Sequence, residues 1–142
     1  MTEIEQLHRL ETLKTEFRHQ PCAKHIVAYL DRLEHKLAVV SGTAIEEVLV
    51  LSGIVQGGIV AAVADYAGVY AAMSIFPDGF TELIQISLQY VRPVKRGQRM
   101  TATAVVVSQT KRFVGVTVEV LGDDMKLRAF GMLTFATPKP TP

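Results

Sequence analysis

The chain lacks most of what would tie it to several protein classes. Its 142 residues hold one cysteine, Cys22, so no disulfide forms within the chain and a reducing, cytoplasmic setting is expected. Neither charge is in excess. Lys and Arg number 15 against 14 Asp and Glu, a net +1, which argues against nucleic-acid binding through bulk charge. The opening segment, MTEIEQLHRLETLK, is charged and amphipathic, unlike the basic and then apolar start of a signal peptide. Charged residues are only 20% of the chain and hydrophobic residues 49%, against a usual charged share of about a quarter. Disorder is excluded on that composition. The apolar content also exceeds what one small globule readily buries, and the length allows a single domain.

What is present begins with one long apolar run, GIVQGGIVAAVADYAGVYAAMSIF, from Gly53 to Phe76. Its length suits a membrane span of about 20 residues. Asp65 would then sit mid-bilayer at a cost of several kcal/mol. The flanks, Glu46, Glu47 and Asp78, carry no Lys/Arg bias. A soluble helix buried on nearly all sides is the better reading, its Gly and Ala letting other backbone approach.

The remaining chain supplies the wrapping. Residues 2–18 read as an amphipathic helix with Ile4, Leu7, Leu10, Leu13 and Phe17 on one stripe. Thr2 and Glu5 have capping-box spacing. Pro21 starts a short stretch, PCAKHI, suited to one helical turn. Two weakly patterned strands are expected over 27–34 and 36–45, and 46–52 is left open between strand end and loop. After the apolar run the period changes to two. Ile84, Ile86, Leu88 and Tyr90 alternate with Gln85, Ser87 and Gln89, the mark of a half-buried antiparallel strand. Alternation resumes at Met100–Val106, Val114–Val120 and Leu127–Phe135. Pro93 and Gly97 read as a turn, so the last four strands are expected to form a meander. The fold class is α+β, one antiparallel sheet of about six strands curled around the long helix. An N-terminal helix over 1–20, a main domain over 21–137 and a disordered tail over 138–142 complete the expected layout.

Gly53, Gln56, Gly57, Gly58, Asp65, Arg92, Pro93 and Gly97 together resemble the pattern of the hot-dog fold thioesterases, and most closely the phenylacetyl-CoA (PaaI-type) branch. The resemblance covers roughly residues 20–137. It implies hydrolysis of an acyl-CoA or aryl-acetyl-CoA thioester, with coenzyme A as part of the substrate and no separate cofactor or metal. It implies a homodimer, with a dimer of dimers possible, and sites at the dimer interface. It also implies that Arg92, Lys95, Arg96, Lys111 and Arg112 hold coenzyme A phosphates, although each could equally be solvated surface.

The chemistry is sound in its own terms. A helix N-terminus presents free N–H groups and partial positive charge, and Gly57 and Gly58 have no side chain to block an approaching carbonyl. Their N–H groups would form an oxyanion hole, and Asp65 would act as general base or nucleophile. Eight residues separate Gly57 from Asp65, about 12 Å along one helix. One reacting carbon cannot reach both, so a site needs Gly57 of one chain and Asp65 of another. Tyr66 and Tyr70 are candidates to line an acyl pocket, and Thr81 and Leu83 are candidates to meet the substrate. Plainer readings stand beside these: a structural carboxylate at Asp65, close packing at the glycines, core filling at Tyr66 and Tyr70.

Three positions depart from the family pattern. Gln56 stands where relatives have His; it can hydrogen-bond a carbonyl or water in the site but carries no proton. Val50 stands where many have an amide, and the chain has no Asn. Leu83 stands where relatives place a water-orienting Ser or Thr, and Thr81 falls out of register with it. A dry site with a raised Asp65 pKa is therefore expected, and a non-catalytic acyl-CoA binder is the alternative. His19, Cys22 and His25 lack a further metal ligand. A Cys22–His nucleophile is disfavoured, as is a dehydratase, because no His follows His35.

Overall fold

The computed structural model describes residues 1–139; of the expected disordered tail, residues 140–142 lie outside the described residues. The first helix, α1, spans Glu3–Phe17 and starts in the capping box expected of it: Glu5 N–H donates to Thr2 Oγ1, and Thr2 N–H to Glu5 Oε2. A single turn, α2, covers Pro21–His25. Two strands follow, β1 (Ala28–Glu34) and β2 (Leu37–Thr43). The long helix α3 runs from Gly57 to Met73. Four more strands complete the chain: β3 (Glu82–Tyr90), β4 (Arg99–Gln109), β5 (Phe113–Leu121) and β6 (Leu127–Ala136). The stretch left open in the sequence forms a short 3-10 turn, Glu46–Val48, followed by a loop.

All six strands form one antiparallel sheet in the order β1-β2-β4-β5-β6-β3. α3 lies across β2, β4 and β5. The core joins its Val63, Ala67 and Tyr70 to Met100, Val116, Leu133 and Phe135 from the concave face. Leu10, Leu13 and Phe17 of α1 enter the same core. Ile4 and Leu7 do not, at 80% and 59% exposed, so the α1 stripe is shorter than its sequence pattern. Arg9 is buried instead, donating to the carbonyls of Met73 and Gly79 at 3.4 and 2.6 Å. A cation there complements the negative end of α3.

Three expectations need correction. The apolar run is not one helix from Gly53: Gly53 turns at φ +83°, and Ile54 and Val55 bridge to Lys95 and Leu49. That leaves 17 helical residues, and no helix among the described residues is long and apolar enough to cross a membrane. Nor is α3 buried on nearly all sides. Ile59, Ala62, Asp65, Tyr66 and Val69 form a half-buried stripe at helical spacing. Finally, the last four strands are not a meander. β3 pairs with β6 at the sheet edge, and residues 91–98 return across the sheet end to β4. Val55 N–H binds the Val94 carbonyl there, and Val94 is buried, so the segment resembling a hairpin turn is a packed crossover.

β3 and β6 approach closely at Gly131, where any Cβ would overlap the Ser87 backbone carbonyl. Gly131→Ala is expected to cost at least about 2 kcal/mol through forced backbone displacement, readable by urea denaturation.

Candidate active site

Half of the expected site residues line two cavities beside α3. The first encloses about 260 Å³ and is lined by Asp65, Tyr66, Thr81 and Leu83 among others. Asp65 lies on the half-buried stripe of α3, and burial raises its carboxyl pKa with no hydrogen bond or charge offsetting it. Among the described residues nothing donates to it. An unpaired, partly desolvated carboxylate facing a cavity is a basic one, and such groups cluster at functional sites.

Thr81 lines the same cavity despite its apparent mismatch of register. It is fully buried, and its Oγ1 has no hydrogen-bond partner among the described residues. Simple alternation in β3 would turn Thr81 away from the face carrying Ile86 and Leu88. A β-bulge between Leu83 and Gln85 changes that parity: Leu83 pairs with inward Phe135, whereas Gln85 pairs with Thr134. The extra residue re-aims everything before it, so Thr81 and Leu83 both line the Asp65 cavity. The bulge has no signature in the sequence.

The N-terminal segment forms one wall of this cavity. Gln20 and Cys22 line it, and Gln20 Nε2 donates to Tyr70 Oη at 3.1 Å. Tyr70 Oη donates in turn to Glu16 Oε1 at 3.3 Å. Tyr66 packs edge-on against Phe17, ring centroids 5.4 Å apart. Burial, with the Cys22 thiol beside it, pushes the Tyr66 phenol up to about 12. Tyr66 is therefore both core filler and cavity wall.

The second cavity, about 330 Å³, lies at the other end and is lined by Gly57, Tyr90, Arg92 and Arg128 among others. Gly57 is the first residue of α3, and Gln56 caps it without a side-chain hydrogen bond. The N–H groups of Gly57 and Gly58 have no acceptor within the helix, as geometry requires. The Gln56 amide is exposed and lies against Gly58, where a Cβ would stand 2.7 Å from Gln56 Oε1. Tyr90 Oη donates to the Gly57 carbonyl at 2.6 Å. The sequence placed Tyr90 on the inward face of its strand and gave no sign of this bond.

The basic residues scatter. Arg92 lines the Gly57 cavity and donates to the Leu127 carbonyl at 2.9 Å. Lys95 is exposed on the crossover beside Ile54. Arg96 pairs with Glu46 at 3.1 Å, both side chains well exposed. Lys111 and Arg112 lie in the β4–β5 turn, where their carbonyls accept from Thr137. β4 is 11 residues long, so Arg96 and Arg112 are about 35 Å apart along the strand. Within one chain they hold no common phosphate. Asp65 and Gly57 likewise face different cavities.

The thioesterase superfamily model matches residues 52–129. A protein of Saccharolobus solfataricus that carries an esterase name is 30% identical over 98 residues, 68% of this chain and 63% of the relative. The chain thus spans less than two thirds of that relative's length. The E. coli PaaI protein from the phenylacetic acid degradation operon superposes with TM-score 0.84 at 21% identity, over 99% of this chain and 97% of its own. A mutant of the phenylacetic acid degradation protein PaaI from Thermus thermophilus gives TM-score 0.74 at 29% identity, over 82% and 98%.

Proposed function

The chain belongs to the thioesterase superfamily, in its PaaI-type hot-dog branch, and from that premise we propose that it hydrolyses an acyl- or arylacetyl-CoA thioester with Asp65 as general base. The observation that carries this reading is the unpaired, desolvated Asp65 carboxylate sharing a cavity with the partnerless Thr81 hydroxyl. A water held by both has its proton removed by Asp65 and its oxygen directed at the thioester carbon. The new C–O bond forms, negative charge gathers on the carbonyl oxygen, and as that charge returns the C–S bond breaks, the sulfur taking the proton from Asp65 so that coenzyme A leaves as the thiol and Asp65 is again a carboxylate. The N–H groups of Gly57 and Gly58 meet that charge at the positive end of α3. Thr81 suits the general base, since it would orient the water that Asp65 deprotonates; a nucleophilic Asp65 would need the same water to hydrolyse the acyl intermediate.

This reading requires two chains. β3 ends the sheet with nine residues and an edge unpaired among the described residues, and an edge of that length invites pairing. Leu83, Ile84 and Tyr90 on it are 38%, 56% and 45% exposed, beside the open stripe of α3. Thr81 and Tyr90 mark opposite ends of β3. A two-fold axis through the middle of β3 therefore sets the Asp65–Thr81 end of one protomer against the Gly57–Tyr90 end of the other. The same operation draws Lys111 and Arg112 of one chain toward Arg92 and Lys95 of its partner, giving coenzyme A phosphates a basic cluster. Val105, Phe130 and Met132 line one opening on the convex face, an apolar patch suited to joining two dimers.

The test is thiol release from a panel of acyl-CoAs. Turnover supports the enzyme; tight binding without turnover identifies the acyl-CoA-binding alternative, which the proton-free Gln56 favours. Thr81→Val separates catalysis from stability. Val fills much the same space and leaves no buried hydroxyl to satisfy, so the melting temperature does not fall. Loss of the water's second partner lowers kcat by about tenfold.

A further inference from the structure

The Tyr90–Gly57 hydrogen bond joins the last residue of β3 to the first residue of α3, 33 positions apart in sequence. Its acceptor is not an arbitrary carbonyl. The Gly57 C=O belongs to the same peptide unit as the Gly58 N–H, one of the two donors that face the thioester in the proposed reaction. That first turn rests on two consecutive glycines, whose backbone is the freest of any residue. Gln56 supplies no side-chain cap to hold it. The hydroxyl of Tyr90 is therefore the side-chain restraint on the peptide at a distance, 2.6 Å, that marks a strong bond.

We propose that Tyr90 is a positioning residue of the thioester site: it holds the Gly57–Gly58 peptide with its N–H turned toward the carbonyl oxygen, and polarises that N–H through the shared amide. This rests on the thioesterase reading and adds a residue to it. Two physical effects act together. Orientation comes first, because an oxyanion donor works only when aimed before charge develops. Polarisation comes second: a carbonyl that accepts a hydrogen bond makes its own amide N–H a better donor. The phenol stays a donor throughout the working range, since burial raises its pKa. The ring contributes separately by packing. A Cβ at Gly57 would sit 3.7 Å from Tyr90 Cζ and Oη, ordinary contact, so the ring lies against position 57 whether or not the hydroxyl is present. β3 thereby braces both halves of the chemistry, with Thr81 ahead of one end and Tyr90 at the other.

Tyr90→Phe keeps the ring and deletes the bond. Removing an oxyanion donor outright costs about a hundredfold or more, so loosening one is expected to lower kcat by about tenfold. KM should stay within about twofold, because the loss falls on the transition state, and the melting temperature should fall by no more than the few degrees that one exposed hydrogen bond is worth. The Gly58 amide resonance, followed by 15N-labelled NMR on the same variant, should shift upfield as its carbonyl partner is lost. An unchanged kcat overturns the proposal. So does a kcat that falls only in step with the melting temperature, which marks a packing role. An unmoved Gly58 resonance overturns it independently, and that readout holds whether or not the wild-type protein turns over any acyl-CoA. Absence of turnover across the panel is a failure of the thioesterase reading and is seen in the wild type alone.

Discussion

Asp65→Asn lowers kcat for thioester hydrolysis by about a thousandfold and raises the melting temperature at neutral pH. The two effects share one cause. The carboxylate is half-buried on the open stripe of α3, with burial as the only influence on its pKa. A partly desolvated anion without a partner costs the folded state stability. It is also a stronger base for the same reason. Asn keeps the size and shape, discards the charge and cannot take a proton. A merely structural carboxylate, satisfied by its neighbours, would behave in the opposite way, and its loss would destabilise the chain with little effect on rate.

The pH dependence follows from the sign of the shift. The folded carboxyl binds its proton more tightly than the unfolded one, whose pKa is near the ordinary 3.8. Below that value both states are protonated and Asp65 costs nothing. As pH rises from 3.8 through the raised folded value, the unfolded chain releases its proton first and the fold loses stability. Above the folded value the full penalty remains. The gain in melting temperature of Asp65→Asn is therefore present at about pH 7 and gone near about pH 3. The rate of the wild-type enzyme rises over the same window as the base ionises, and a profile flat above about pH 5 contradicts the raised pKa. Thermal melts and rates taken over one pH series check both.

Local pattern made some of this molecule legible and hid the rest. Met100, Ala102 and Ala104 alternate with polar neighbours, and β4 lies where that alternation says. Gly57, Gly58 and Asp65 could be placed on one helix, too far apart for a single carbon, because helical rise is a constant. Pro93 and Gly97 misled for a physical reason. Turn residues show that the chain bends but not which strand it meets next, and β3 pairs with β6, far later in the chain. The bulge near Leu83 is hidden in the same way: it exists because β6 fixes the register, and nothing in TELIQIS announces it. That single extra residue moves Thr81 from an apparent mismatch to the wall of the Asp65 cavity. The Tyr90 hydroxyl bond is equally non-local, since alternation gives a side chain's face but not its partner. The half-buried stripe of α3 reads in sequence as continuous burial, because Ala and Val look alike whether a sheet of the same chain or a second chain covers them.

A heterodimer of two inactive variants regains about half the wild-type turnover per dimer, if each site draws Gly57 from one protomer and Asp65 from the other. Gly57→Pro is the right complement to Asp65→Asn. Proline is favoured at the first helical position, where its missing N–H costs the helix nothing. The preceding Gln56 sits at φ −60°, ψ 134°, the extended backbone that a following proline requires. A side chain at position 57 meets only ordinary contacts with Tyr90. The substitution thus removes one oxyanion donor and leaves the fold, lowering kcat by about a hundredfold or more. Co-expression with two tags and sequential purification isolates the mixed dimer. One of its sites carries both lesions. The other pairs the intact Gly57 of the Asp65→Asn chain with the intact Asp65 of the Gly57→Pro chain. Recovery in the mixed dimer and none in either homodimer ties the two cavities into one site across the two-fold. A mixed dimer as inactive as its parents sinks the shared-site reading, and with it the account of why a 17-residue helix leaves its carboxylate face uncovered.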